Sequence, residues 1–260
     1  MKILKSIAVA FSMYSRIPMP RFDWDSEDME YHLIFFPFIG AVIGGVMFLW
    51  WKMYYFFPPT GGIPFSAIAI VIPIVITGGF HVDGFMDTSD ALASWGDKEK
   101  RLEILKDSHV GAFAIIRLLT LGLILFSAIY MMDNSAILTW CFSFLAARCI
   151  SGICVVASKK AKNDGILSTS AKNAKDKVVI ICLALEFIIC NLFAGLMFQW
   201  YWTASLLALA IALVYYIYVA YSKFGGITGD LAGWFVCKSE VLMAVAVAIV
   251  SALNMYGINQ

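Results

Sequence analysis

The sequence predicts an all-α membrane protein: a polytopic helix bundle of about seven transmembrane helices, plus an N-terminal interfacial helix. Three observations predict it. Of 260 residues, 61% are hydrophobic and only 14% charged, where a soluble domain carries near 25% charged residues. Mean hydropathy is +0.82, and the apolar residues gather in runs long enough to cross a bilayer. The lysines and arginines occupy alternate connections between those runs.

Taken in order, residues 2–17 read as a short helix lying on the membrane surface. Ala8-Val9-Ala10 nominally fits a signal-cleavage site, but the apolar stretch ahead of it is too short, so no cleavage is expected. The acidic run Asp23, Asp25, Glu27, Asp28 and Glu30 has no matching apolar periodicity and reads as a solvated loop. Seven apolar segments follow, at 32–56, 62–81, 111–131, 135–157, 178–199, 203–222 and 240–257. Trp50, Trp51, Tyr54 and Tyr55 near the end of the first, and Trp200, Tyr201 and Trp202 between the fifth and sixth, read as interfacial anchors. The whole chain is expected to form one domain, a 1–31 segment followed by a 32–257 bundle, with no internal repeat.

Charge sets the expected orientation. Segment 1–31 and the loops 82–110, 158–177 and 223–239 all carry Lys or Arg, whereas 57–61, 132–134, 200–202 and the C-terminal tail carry none. By the positive-inside rule the N-terminus and the long loops face the cytoplasm and the C-terminus lies outside, as an odd number of spans requires. A net charge of +1 names no partner, and no nucleic-acid partner is expected. The six cysteines include no C-x-x-C pair and read as small buried hydrophobes.

Chemistry concentrates at His81-Val82-Asp83-Gly84-Phe85-Met86-Asp87-Thr88-Ser89-Asp90. No Asp, Glu, Lys or Arg lies between Lys52 and Asp83, so this cluster emerges abruptly from an apolar run. On a helix, Asp83, Asp87 and Asp90 fall within about 60° of one another. Three anions on one stripe repel; a divalent cation removes that cost, and oxygen-only ligands suit Mg²⁺. His81 points away from the stripe on an ideal helix, and serves as a base only if the helix begins at Asp83, after the Gly78-Gly79 break.

A second constellation is Gly225-Gly226-Ile227-Thr228-Gly229-Asp230, followed by Gly233 and Glu240. Its glycines would let backbone N–H groups approach a phosphate, or would simply form a turn between spans. Asp107-Ser108-His109-Val110-Gly111 is a further candidate, or a helix start capped by Asp107 or Ser108. Asn163-Asp164-Gly165 lies in the most basic loop and reads equally as a turn. Arg117 and Arg148 are intramembrane cations for which a partner is expected. Snorkelling is an alternative for Arg117, while Arg148 is a candidate phosphate partner or forms a structural pair with Glu186. Asp133 reads as solvated in an outside turn.

These motifs resemble the cobalamin synthase family (adenosylcobinamide-GDP ribazoletransferase, or cobalamin-5′-phosphate synthase) over nearly the whole chain. The resemblance is carried by Arg16-Ile17-Pro18, Gly79 through Asp90, Asp107 through Gly111, and Gly225 through Asp230 with Gly233 and Glu240. The chain departs from the family at 158–170, where Lys162-Asn163-Asp164-Gly165-Ile166 replaces an Arg-Pro-type segment. The resemblance implies an inner-membrane enzyme joining adenosylcobinamide-GDP to α-ribazole or its 5′-phosphate, with release of GMP and a need for Mg²⁺. It implies that Asp83, Asp87 and Asp90 hold metal and that His81 or a carboxylate takes a proton. Asp107, Arg148, Gly225, Gly226, Thr228, Gly229, Asp230 and Glu240 are then the expected substrate contacts. A CDP-alcohol or prenyl transferase of the membrane, and more remotely a transporter, are the alternatives.

Overall fold

A computed structural model describes residues 2–20, 28–56, 62–161 and 176–257. Asp23, Asp25, Glu27 and the Asn163-Asp164-Gly165 turn lie outside the described residues. The first helix, α1 (Lys2–Tyr14), is shorter than the sequence suggests and is pinned by the following segment. Lys5 pairs with Asp28 at 3.0 Å, so that acidic residue is buried and partnered, not solvated. His32 Nδ1 lies 2.6 Å from the Met29 carbonyl, which fixes the proton there and leaves Nε2 to accept from the Tyr14 hydroxyl at 3.2 Å.

A 3₁₀ turn at His32–Phe35 leads into α2 (Phe36–Tyr55), with Pro37 in its first turn where no N–H is required. The next helix, α3 (Gly62–Thr77), closes in Gly78 and Gly79, both at positive φ (67° and 82°). The Gly79 N–H reaches back to the Ile74 carbonyl at 3.0 Å, closing a Schellman-type end that only glycine enters without strain. The chain then bends by 97° into α4 (Phe80–Ala93). The expected second span therefore stops at Thr77, and the carboxylate cluster lies on a separate helix that crosses the end of the bundle. Arg16 covers this bend: its N–H donates to the Ile76 carbonyl at 2.8 Å and its side chain lies against Gly78.

After the short α5 (Lys98–Ile104) come α6 (Ala112–Met131), α7 (Asn134–Ala157) and α8 (Asp176–Val219). At 44 residues α8 would run about 66 Å as a straight helix, twice a bilayer's hydrocarbon thickness. It is broken at Gln199 (φ 41°). Trp202 Nε1 donates to Asn191 Oδ1 at 3.0 Å across eleven positions, so the chain folds back there without an intervening loop. Five helical stretches are long and apolar enough to cross a membrane, six with the bent α3–α4 pair. Dividing α8 at its fold-back gives the seven spans expected. The last, α9 (Gly229–Met255), starts eleven residues earlier than the sequence suggests.

Polar bonds gather the turns at one end of the bundle. Asp133 caps α7 by accepting from the Ala136 N–H at 2.8 Å and also accepts from the Tyr201 hydroxyl, so it is not merely solvated. Asn254 donates to Tyr201 at 2.9 Å, Ser251 links α9 to Met131 and Asp133, and Trp51 donates to Asn134. The carboxylate cluster and the basic connections lie at the other end. Between them, α2 and α7 pack through Gly40 and Gly44, where a Cβ would overlap the backbone carbonyls of Phe144 and Cys141. Outward-facing side chains such as Leu119, Leu123 and Leu196 are exposed apolar surface suited to lipid. Gly40→Val should therefore lower stability by about 1–3 kcal/mol, read as a reduced Tm of the detergent-solubilised protein. Gly45→Ala, with nothing within 4 Å of the new methyl, should not lower it.

Candidate active site

The site is built where α4 lies against the first turns of α9. A Cβ on Gly84 would sit 2.8 Å from the Asp230 carbonyl and 2.9 Å from its Cα; a Cβ on Gly233 would sit 3.2 Å from the His81 backbone. The two helices thus touch backbone to backbone, which brings Asp87 near Asp230, with Asp83 one turn back on α4. Asp83 is exposed, and Asp87 and Asp230 are half-buried. Burial, then the charges of Asp83, Asp230 and Asp90, push the Asp87 carboxyl up to about 6. Burial and neighbouring negative charge both favour the protonated form of Asp87.

Asp90 has a different position from the other two. Its Oδ2 accepts from the Gly111 N–H at 2.6 Å and its Oδ1 from the Ala114 N–H at 2.8 Å. It caps α6 from a distance, replacing the local cap expected from Asp107 or Ser108. Asp107 instead stays on the exposed α5–α6 turn. Hydrogen bonds from the His109 backbone N–H (3.0 Å) and ring Nδ1 (2.7 Å) hold its carboxyl below the usual range.

The glycine-rich connection resolves residue by residue. Gly225 adopts φ 78° to end the preceding helical turn, and the Gly226 N–H donates to the Ala220 carbonyl at 3.0 Å. Ile227 exchanges backbone hydrogen bonds with Lys159 and Ala161, at 2.9 and 3.0 Å, and a Cβ on Gly226 would collide with that strand-like segment. Thr228 caps α9, its hydroxyl accepting from the Leu231 N–H at 3.2 Å. Gly229 opens the helix and Asp230 sits in its first turn, where the helix dipole favours an anion. The Gly226 and Ile227 amides are thus committed to the fold and are not open to phosphate.

Three expected site residues lie elsewhere. Glu240 is about 15 Å along α9 from Asp230, buried against Arg148 with Nη1···Oε1 of 2.6 Å. Arg148 therefore pairs with Glu240, not with Glu186, whose Oε2 is buried without a hydrogen-bond partner. His81 is on the α9-facing side of α4, packed on Phe36 and Phe80 at 5.7 and 5.6 Å, about 160° from the Asp83 direction. It lines a cavity of about 90 Å³ shared with Arg148 and Glu240. The structure brings together Asp83, Asp87 and Asp230, and separates them from His81, Arg148 and Glu240. Lys98 beside Gly225 and the 159–161 segment against Gly226 were not singled out in the sequence, because only the fold brings those lysines to the motif.

The cobalamin-5-phosphate synthase family matches residues 6–248, which include every element of this site. The chain belongs to that family. It is similar to an adenosylcobinamide-GDP ribazoletransferase of Lachnoclostridium phytofermentans, 39% identical over 99% of this chain and 98% of the relative. A protein of the same name from Clostridium botulinum is 33% identical over 92% of this chain and 95% of its own length. One from Acinetobacter baumannii is 29% identical over 77% and 79%. No solved structure matches. As a cobalamin-5-phosphate synthase family member, the protein is a multi-pass membrane transferase of cobalamin synthesis.

Two outcomes follow for this synthase-family chain. Asp90→Ala should cost about 0.5–2 kcal/mol and speed amide exchange at Gly111 and Ala114, with or without added metal. Arg148→Met or Glu240→Met alone should cost about 3–5 kcal/mol by stranding a buried charge, while the double substitution costs less than either. Thermal unfolding of the four proteins in one detergent checks both the order and the sizes.

Proposed function

We propose that the protein joins adenosylcobinamide-GDP to α-ribazole or α-ribazole 5′-phosphate, giving adenosylcobalamin or its 5′-phosphate and GMP. The observation that carries the reading is the glycine-mediated contact of α4 with α9, which gathers Asp83, Asp87 and Asp230. The names borne by the relatives supply the substrates. We place the enzyme in the cytoplasmic membrane, with this end of the bundle in the cytoplasm and the C-terminus outside, on the alternating lysine and arginine pattern.

The donor set suits Mg²⁺. It is all carboxylate oxygen, and burial together with the neighbouring carboxylates raises the Asp87 carboxyl. Among the described residues no three His, Cys, Asp or Glu side chains converge as a finished ligand set. That fits an ion bound by one or two carboxylates together with substrate phosphate oxygens, the usual arrangement for magnesium. Asp87 with either Asp83 or Asp230 would hold it, and Asp90 would keep α4 and α6 in register. When bound, the ion supplies charge neutralisation on the diphosphate.

The chemistry asked of the chain is then positional. A ribose hydroxyl oxygen bonds to the cobinamide-side phosphorus, the bond from that phosphorus to the bridging oxygen breaks, and GMP leaves. The hydroxyl proton passes to a carboxylate oxygen of the cluster, since His81 lies on another face of α4. Asp230 keeps its place through the Thr228 cap, and Gly84 sets the distance between the two acidic helices.

In purified, lipid-reconstituted protein, Asp83→Asn should reduce GMP release from adenosylcobinamide-GDP on the order of 10²–10³-fold while leaving membrane insertion intact. Chelation with EDTA should abolish release and added Mg²⁺ restore it. Turnover near wild type in the Asp83→Asn protein would remove the carboxylate assignment.

A further inference from the structure

A second charged cavity lies on the other side of α4. It is a groove of about 440 Å³ between α4, α6, the C-terminal half of α8 and α9. Arg117, Lys223 and Lys238 all line it, and no Asp or Glu does. None of the three has a carboxylate partner among the described residues. Arg117 uses one guanidinium N–H on the Ser89 carbonyl, at 2.8 Å. Lys238 sits 5.3 Å from the Trp234 ring centre and 5.5 Å from that of Tyr215, held by ring faces and not by an anion. Ser89, fully buried in the wall of the groove, has a hydroxyl with no hydrogen-bond partner. Three cations and an unsatisfied hydroxyl around one space are costly at bilayer depth unless an anion enters it.

The groove is distinct from the carboxylate site. On α4, Ser89 lies about 120° from Asp83 and further still from Asp87, so the body of the helix separates the two. Its depth also differs from that of a cytoplasmic pocket. Arg117 is about 8 Å into α6 and Lys238 about 14 Å into α9, counted from the end that carries the acidic cluster. Tyr215, Tyr218 and Ile124 stand exposed at its mouth, on surface that faces lipid. An anion arriving from that side comes with an apolar tail.

We propose that this groove binds the phosphate of an anionic phospholipid from the leaflet nearest the acidic cluster. Arg117, Lys223 and Lys238 ring the phosphate, Ser89 donates to it, and the acyl chains lie over the tyrosine-lined mouth. Each cation near a membrane surface strengthens the hold on an anionic lipid by roughly fivefold, so losing two should be plainly measurable.

The test is native mass spectrometry of the full chain in mild detergent, titrated with phosphatidylglycerol or phosphatidylcholine. Wild type should retain phosphatidylglycerol in preference to phosphatidylcholine. The Lys223→Gln/Lys238→Gln protein should bind phosphatidylglycerol at least about tenfold more weakly, and Lys223→Arg/Lys238→Arg should keep it. Lys223→Gln alone gives a partial loss if the double variant is poorly folded. Equal retention of the two lipids by wild type, or unchanged retention in the Gln variants, overturns the proposal. So does displacement of phosphatidylglycerol by GMP or inorganic phosphate, which would assign the cations to a water-soluble phosphate.

Discussion

Everything at the acidic end depends on two helices meeting without side chains between them. Gly84 on α4 lies against the Asp230 backbone and Gly233 on α9 against that of His81, so the helix axes come as near as backbone allows. Carboxylates resist being gathered: their repulsion opposes the contact that brings them together. The contact holds because α4 is secured from three other directions. Arg16 and the Gly78-Gly79 turn fix its start, Asp90 bonds it to the first turn of α6, and Arg117 on α6 reaches the Ser89 carbonyl. On the proposed function, a cation and a phosphorylated ligand relieve that repulsion.

Deeper in the bundle the Arg148–Glu240 pair makes a second demand. Its residues come from α7 and α9, and Trp140 adds a hydrogen bond from its ring nitrogen to the Glu240 carbonyl at 3.1 Å. The Arg148 Nε remains without a partner. A charged pair in this position ties two spans together in one register, because sliding either by a turn would strand both charges. The pair thereby fixes where α9 begins to cross and, through it, the level at which Asp230 and Gly233 present themselves to α4.

Much of this was legible in the sequence. Alternation of lysine-bearing and lysine-free connections, with long apolar runs, suffices for the bundle, and three aspartates at helical spacing suffice to mark α4. What escaped notice depends on partners distant in the chain. Asp90 looks like a third ligand until Gly111 and Ala114 arrive beneath it. Glu240 looks like part of the acidic group until α9 proves to begin at Gly229, which moves it about 15 Å into the bundle. Hydropathy places Arg148 and Glu186 within spans but does not report the rotation of a helix about its axis, which is what turns Arg148 to Glu240. The connection expected at 200–202 is present as a fold-back at Gln199 (φ 41°), made without proline or glycine and closed by the Trp202–Asn191 bond.

That fold-back also bears on sidedness. With helix resuming directly after Gln199 and Asp133 spent on a cap and a tyrosine, the described turns at this end present little that a solute could grip. On the proposed reaction, recognition and release then fall to the end that carries the acidic cluster. On that reading, soluble reactants enter and leave across one face of the bundle, while its long apolar flanks hold it in the bilayer.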